Sequence, residues 1–357
     1  MSSVNIELTP EVYVTNFHKR FTGVSATADA VISKQIGRYA LKLVGLPLPS
    51  LQHCCSYRHA LRSSRSRPIH RPFAIWHVRR NMEMLSALFA RDILRLPIKI
   101  VFTSAAQRLH SAIPRRLIAR MDAVVATTNQ AAQFVPHVAA VVPHGVDTQR
   151  FQPAADRQAA WQQLGLPGRY GIGIVGRVRP EKGTDLFVEA MCRVLPQRPD
   201  FTAVIIGRAK PAEAEFEKRL RQQLQTHGLE DRVVFVGEKP PHELPKLLSS
   251  LSLLVASPRY EGFGMTPLEA MSSGLAVVAS DTGIFRQIIE EDQTGYVVGI
   301  DQIDALSQAV MNITADPGRL HEMGRQARQV AVERLSLERE IEGYARVYDR
   351  LWNGERF

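Results

Sequence analysis

Two short stretches carry residues whose types and spacing suit chemistry on a charged, hydroxyl-rich ligand. In GRVRPEKGTD, residues 176–185, Arg177 and Lys182 present two cations after an apolar run, and Gly183 and Thr184 open a helical pattern. Glycine lets a ligand approach the backbone, and the free amides of a helix start attract anions, so this stretch suits a diphosphate without a metal ion. An ordinary basic loop between a strand and a helix has the same composition, and taken alone the stretch leaves both readings open. In SPRYEGFGMTPLEAMSSG, residues 257–274, seven residues separate Glu261 from Glu269. Pro258 ends a strand, Gly262 and Gly264 keep the loop open, and 265–272 is expected to be a helix with Glu269 one turn inside its start. A carboxylate there can accept hydrogen bonds from the vicinal hydroxyls of a ribose or hexose, while the one on the loop meets another sugar hydroxyl or a developing cationic centre. Two glutamates alone are usually surface charges, but a glycine-flanked pair in an otherwise apolar segment reads as a nucleotide-sugar pocket.

A third pattern points elsewhere and is set aside. Gly171, Gly173 and Gly176 satisfy G-x-G-x-x-G, yet they fall inside the apolar run GIGIVG. A dinucleotide fingerprint follows a strand, opens a helix, and is trailed about 20 residues on by an acidic ribose ligand. Here the glycines lie within the strand instead of after it, so the fingerprint is rejected and no dinucleotide cofactor is expected.

The elements that must position these residues follow from periodicity. Short β-branched runs alternate with helical stretches throughout, the pattern of parallel α/β layers. Strands are expected at 12–15, 73–77, 98–102, 123–126 and 138–142, and again at 172–175, 203–206, 233–236, 253–256 and 276–279. Two separate sheets follow, as the length of 357 residues also suggests at about 100 to 200 residues per domain. A boundary is expected in 151–169, where Pro153 and Pro167 bracket a short helix-like segment. The last segment, 320–352, is helical in pattern and long enough to return to the first domain. Within 23–45, Lys34, Arg38 and Lys42 recur every four residues, with Ile32, Ile36, Ala40 and Leu43 opposite, so a helix with a basic outer stripe is expected.

Charge is unevenly spread. The chain holds 45 Lys+Arg and 35 Asp+Glu, a formal net of +10, but residues 1–150 hold 20 and 7 while residues 151–357 hold 25 and 28. No acidic residue occurs between Asp29 and Glu83, a stretch with ten Lys and Arg. Such a field points to a polyanionic partner: an anionic membrane, a phosphorylated substrate or nucleic acid. Nucleic acid is disfavoured, since residues 30–82 interleave only Tyr39, Tyr57, Phe73 and Trp76 and contain no recognised binding module. Three cysteines, Cys54, Cys55 and Cys192, without a C-x-x-C pair, argue against a disulfide framework or a cysteine zinc site. No run approaches the ~18 apolar residues of a membrane span, and MSSVNIELTPE carries acids where a signal peptide needs basic then apolar residues, so a cytoplasmic location is expected.

The motifs GRVRPEKG and Glu261-GFGMTPL-Glu269, in this order, resemble the donor-site signatures of retaining GT-B glycosyltransferases of family 4, glycosyl transferases group 1. PHGVD at 143–147 and TGYVV at 294–298 match the same family, so the resemblance spans nearly the whole chain. In the first half, NFHKRFTGVSAT, IWHVRRNMEM and VFTSAAQRLH are similar more narrowly to bacterial lipopolysaccharide core mannosyltransferases. The resemblance implies a GT-B fold: two Rossmann-like domains facing a cleft, with a C-terminal helix crossing back to the first. The division expected is 1–150 for the acceptor domain, 151–169 for a linker, 170–335 for the donor domain and 336–357 for the returning helix.

By position, the resemblance implies that Arg177 and Lys182 bind the donor diphosphate and stabilise the departing nucleotide. Glu269 would hold the ribose hydroxyls, Glu261 with the amides of Phe263 and Gly264 the donor sugar, and the Met265 and Thr266 amides its distal phosphate. Gly23 would close over the diphosphate from the first domain, although Thr22 stands where many relatives have a second glycine. His77 corresponds to an active-site histidine of the acceptor domain, and read from the residues alone a satisfied core histidine accounts for it equally. The loop 237–242 is expected to meet the base. The chain contains no D-x-D metal motif, and no metal or cofactor is expected. The function implied is transfer of a hexose, mannose from GDP-mannose, to the inner core of lipopolysaccharide. The acceptor would be an anionic lipid-linked saccharide, met by an enzyme bound peripherally at the inner face of an anionic membrane. The alternative is a UDP-hexose-dependent enzyme with another lipid-linked or soluble acceptor.

Overall fold

Strands buried on both faces pair in parallel when each is followed by a segment that crosses back over the sheet. Both halves of the chain follow that rule in a computed structural model describing residues 9–20, 22–106 and 108–357. Residues 1–8, on which the signal-peptide reading rests, lie outside the described residues, as do Phe21 and Gln107 of two quoted first-half stretches.

The first unit runs to His144 and includes Leu337–Phe357. It contains β1 (Val12–Asn16), α1 (Gly23–Gln35), β2 (Leu41–Gly45), β3 (Cys54–Cys55), α2 (Tyr57–Ser63), β4 (Ala74–Val78) and α3 (Asn81–Leu88), which continues as a π-helical turn, Phe89–Ile93. It continues with β5 (Ile98–Ser104), α4 (Ala112–Ile118), β6 (Ala123–Ala126), α5 (Asn129–Ala132) and β7 (Val138–Val141). Among the described residues its parallel sheet has the order β3-β2-β1-β4-β5-β6-β7. The winding reverses between β1 and β4, and the loops leaving those two strands part at the carboxyl edge.

The second unit, Gly145–Ser336, contains α6 (Arg157–Gln162), β8 (Tyr170–Val175), α7 (Thr184–Val194), β9 (Phe201–Ile206), α8 (Ala214–Thr226), β10 (Val233–Gly237) and α9 (Leu244–Ser250). There follow β11 (Leu253–Ala256), α10 (Met265–Ser272), β12 (Ala276–Ser280), α11 (Phe285–Ile288), β13 (Gly295–Val298), α12 (Ile303–Thr314) and α13 (Pro317–Arg334). Its parallel sheet is ordered β10-β9-β8-β11-β12-β13, with the reversal between β8 and β11. Among the described residues no helix is long and apolar enough to cross a membrane.

The last helix, α14 (Leu337–Trp352), belongs to the first unit. Leu337, Ile341, Tyr344, Tyr348 and Leu351 form an apolar stripe at helical spacing and pack on Val12, Val14, Ile75, Val101 and Val125 of that sheet. The expected single helix over 320–352 is two helices instead. The chain leaves α13 because Val146 N donates to Leu335 O at 2.8 Å and Val146 bridges Ser336.

Two other expectations differ from the structure for identifiable reasons. Residues 151–169 are not a separate linker but part of the second unit. Trp161 is fully buried there, and Arg157 Nη2 donates to Ser273 O and Gly274 O at 3.0 and 2.8 Å, where a cation offsets the exposed carbonyls of a helix end. The basic stripe of Lys34, Arg38 and Lys42 is not one helical face, because α1 stops at Gln35 and Lys42 lies on β2, which pairs Leu41 with Val12.

Candidate functional site

The reversal between β8 and β11 puts two loops side by side at the carboxyl edge of the second sheet, where open α/β sheets bind ligands. They are the two stretches singled out from sequence. Gly183 adopts φ 67° and a Cβ there would stand 1.7 Å from Ser257 O, so only glycine fits. Ser257 Oγ donates back to Gly183 O at 2.9 Å. Arg259 reinforces the join: its guanidinium reaches Asp185 with two bonds at 2.9 and 2.8 Å and Asp301 with a third at 2.6 Å. Such a bidentate contact fixes direction as well as distance.

At the tip of these loops Lys182 Nζ donates to Glu261 Oε2 at 2.6 Å, and Gly262 N donates to Glu261 Oε1 at 3.0 Å. Both side chains are half-buried. Gly264, at φ 95°, then turns the chain into α10, and a Cβ there would lie 2.1 Å from the Phe285 ring. Having no side chain, Gly264 leaves the first amides of α10, those of Met265 and Thr266 among them, without a cap from that position. Phe263 is buried, and its carbonyl accepts from Ile284 N at 3.1 Å, which anchors the loop to the turn after β12.

Glu269 sits one turn into α10, half-buried, with its carboxyl pushed up to about 7 by burial; the cation of Arg150 pulls it part of the way back. Arg150 escaped the sequence reading. It follows the PHGVD segment, which carries no chemical signature of its own, and its Nη2 donates to Pro241 O at 2.5 Å. Arg150 thus links the surroundings of Glu269 to the loop after β10.

Arg177 is exposed and lines a pocket of about 220 Å³ with Gly176, Gly207, Arg208, Lys239 and Leu244. The pocket lies between the carboxyl ends of β8 and β9 and the start of the loop 237–242. A Cβ on Gly207 would sit 1.8 Å from Gly176 O, so glycine lets these strand ends meet. Gly171 and Gly173, the discounted fingerprint glycines, have a packing role: Cβ atoms there would strike Trp161 and Leu251, each at 2.4 Å.

Of the ten residues singled out from sequence, Gly23 and His77 lie in the first unit and the other eight in the second. Gly23 opens α1, and a Cβ there would meet nothing within 4 Å. Its loop is held by residues the sequence reading missed. Arg80 donates to Thr22 Oγ1 and Ser25 Oγ at 3.1 and 3.0 Å, and the fully buried Glu83 accepts from Thr15 Oγ1 at 3.0 Å and Arg79 N at 2.8 Å. A carboxylate buried three residues from an arginine was a signal available in the sequence, but only burial tells it from a surface pair.

His77 is the other first-unit residue singled out. It is fully buried on β4, with Nδ1 2.5 Å from Tyr348 Oη and Nε2 2.7 Å from Thr103 Oγ1. Burial first, and the nearby Arg79 cation second, hold its pKa well below the ordinary value, so the ring is neutral. With both nitrogens engaged, the ring joins α14 to the sheet, an arrangement that suits a core histidine. Among the described residues, no group of three or more His, Cys, Asp or Glu is placed to hold a metal ion.

Two doubly wound parallel units, the second with a glycine-led helix start beside a Lys–Glu pair at its switch point, make this a GT-B glycosyltransferase. In overall fold the chain is similar to the Anabaena protein Alr3699/HepE solved in complex with UDP, with a TM-score of 0.81 at 17% identity over 95% of this chain and 99% of that one. The chain belongs to the glycosyl transferases group 1 family, which it matches over residues 156–330. It is 39% identical to the lipopolysaccharide core biosynthesis mannosyltransferase LpsB of Rhizobium meliloti (strain 1021), over 96% of this chain and 97% of that protein. To the lipopolysaccharide core biosynthesis mannosyltransferase LpcC of Rhizobium leguminosarum bv. viciae it is 41% identical, over 97% and 98%.

Proposed function

We propose that this enzyme is a retaining mannosyltransferase that moves mannose from GDP-mannose onto the inner core of lipopolysaccharide at the cytoplasmic face of the membrane. The observation that carries the proposal is the Lys182–Glu261 pair set against the glycine-led start of α10. The near full-length similarity to two lipopolysaccharide core mannosyltransferases supports the choice of sugar and acceptor.

In this reading Lys182 and Arg177 take the donor diphosphate, and the Met265 and Thr266 amides meet the phosphate nearer the sugar. Negative charge grows on the leaving nucleotide as its bond to the sugar breaks. Cations fixed beforehand stabilise that charge more than they stabilise the ground state, which is what lowers a barrier. Glu261, released in part from Lys182 by the phosphates, faces the sugar with the Phe263 and Gly264 amides and stabilises an oxocarbenium-like centre. Glu269 accepts from the ribose hydroxyls. The acceptor attacks from the face the nucleotide leaves, so the configuration is retained without a carboxylate nucleophile. Two cations and a helix start supply the charge that a divalent ion otherwise brings, and transfer is therefore independent of metal.

The basic first half is assigned to the anionic acceptor and the anionic membrane that carries it. A thermal-shift titration tests the donor. A ligand at about one hundred times its Kd stabilises by about 2.7 kcal/mol. GDP is expected to raise the melting temperature more than UDP at equal concentration; stabilisation by UDP alone would replace this donor by a UDP-hexose.

A further inference from the structure

Seven of the fifteen large apolar side chains exposed among the described residues fall between Met82 and Ile113. They are not scattered. Met82, Leu85 and Phe89 recur at helical spacing on the outer side of α3, whose inner side buries Met84, Ala87 and Leu88. Ile93 extends the row, because the chain continues as a π-helical turn in which a full turn takes more residues than in an α-helix. The neighbouring α4 adds Ile113, 70% exposed, with Leu109 just before its start at 58%. An outward helix face is ordinarily polar; this one is apolar across two adjacent helices.

The charges around it have one sign. Arg95, Arg108, Arg115 and Arg116 are exposed. The only acids in 81–120 are Glu83, which is buried, and Asp92, which is held by Arg91 and Arg120. Apolar side chains in a row, fringed by arginines, fit the boundary between anionic headgroups and acyl chains, where such a face sits about 5–10 Å deep. A two-fold pairing with a second copy fits poorly, since it would set this arginine fringe against itself.

We propose that α3, its π-helical turn and the start of α4 form a membrane-insertion face that seats the first unit in an anionic lipid surface. This face adjoins the basic stretch between Asp29 and Glu83, whose Tyr57 Oη donates to Ser86 O of α3 at 2.9 Å, and it binds by burying apolar side chains as well as by charge. The proposal rests on the reading of the acceptor as lipid-linked. Its test uses vesicles without donor or acceptor, so the failure of one is told apart from the failure of the other.

The experiment compares the full chain with a Phe89→Ser/Ile93→Ser variant in sedimentation with vesicles of phosphatidylethanolamine and phosphatidylglycerol. Both substitutions are at exposed positions, and an unchanged circular dichroism spectrum confirms the fold. The variant is expected to partition about thirtyfold more weakly, equivalent to about 2 kcal/mol. Equal partition of the two proteins overturns the proposal. So does a wild-type chain that is dimeric without vesicles and becomes monomeric on substitution, which makes the face a protein interface.

Discussion

Lys182 Nζ lies 2.6 Å from Glu261 Oε2 and so joins the loop after β8 to the loop after β11, with both side chains about a quarter exposed, at 27% and 22%. As a half-buried pair it contributes modestly to stability, on the order of 1 kcal/mol. In the proposed function its larger consequence is that a cation and a carboxylate needed at different points of one ligand stand together before that ligand binds.

Lys182→Ala is expected to lower kcat by about 10²- to 10³-fold, the usual cost of losing one preorganised group that stabilises developing charge. Lys182→Arg should recover part of it. Steady-state kinetics at saturating donor, with the melting temperature as a control, checks both. A fall confined to KM would mean that Lys182 binds donor and transition state alike.

Gly183→Ala and Gly264→Ala should each destabilise the second unit by more than about 1 kcal/mol, because each combines a left-handed φ with a Cβ that has no room. The two differ in what must move: Ser257 backbone at Gly183, and the Phe285 ring at Gly264. A backbone yields less readily than a side chain, so the loss is larger at Gly183. Chemical denaturation curves give the order directly.

Glu269 gives a pH signature. Its carboxyl stands at about 7 against an ordinary value of 4.5, so the folded protein keeps a proton that the unfolded chain releases. Stability from this group is therefore present at acid pH and lost as pH rises from about 4.5 to about 7, by roughly 2–3 kcal/mol. Glu269→Gln should flatten that slope and raise stability above pH 7. The same ionisation favours hydrogen bonds from ribose hydroxyls, so GDP affinity should rise as pH passes about 7, and the variant should lose both the affinity and its pH dependence. Melting curves and calorimetry across this range read the two effects.

His77 has the opposite sign. Its lowered pKa means that the unfolded chain takes up a proton below about 6.5 that the folded chain does not, so stability falls as pH drops below that value. His77→Phe leaves Tyr348 Oη without this partner and Thr103 Oγ1 with only its long contact to Tyr344 Oη at 3.4 Å, at a cost of about 1–3 kcal/mol. The kcat per folded molecule should be unchanged. A large loss of kcat in a fully folded variant would place His77 in the reaction.

The repeated parallel layers were legible because fully buried strands such as 123–126 and 253–256 are unbroken apolar runs bounded by polar residues, and both have those ends in the structure. α10 was equally legible, from Gly264 before it and apolar spacing within it. β3 was not: two cysteines at a sheet edge have no period to read. β2 was hidden because basic residues spaced by four imitate a helical face, and only pairing with β1 shows that the chain has turned. Arg150 and Glu83 stayed invisible for a shared reason. Their significance lies in partners far along the chain, Glu269 in one case and Thr15 in the other, and a sequence displays neither distance nor burial. For His77 the pattern showed a strand end but not Tyr348, 271 residues later, waiting on its ring.

The most direct measurement is a transfer assay in which labelled GDP-mannose and labelled UDP-hexoses compete for a lipid-linked inner-core acceptor, with the anomeric configuration of the product read by NMR. The proposed function predicts incorporation from GDP-mannose, with the configuration of the donor preserved in the product. Incorporation from UDP-hexoses alone, or a product of inverted configuration, would contradict it.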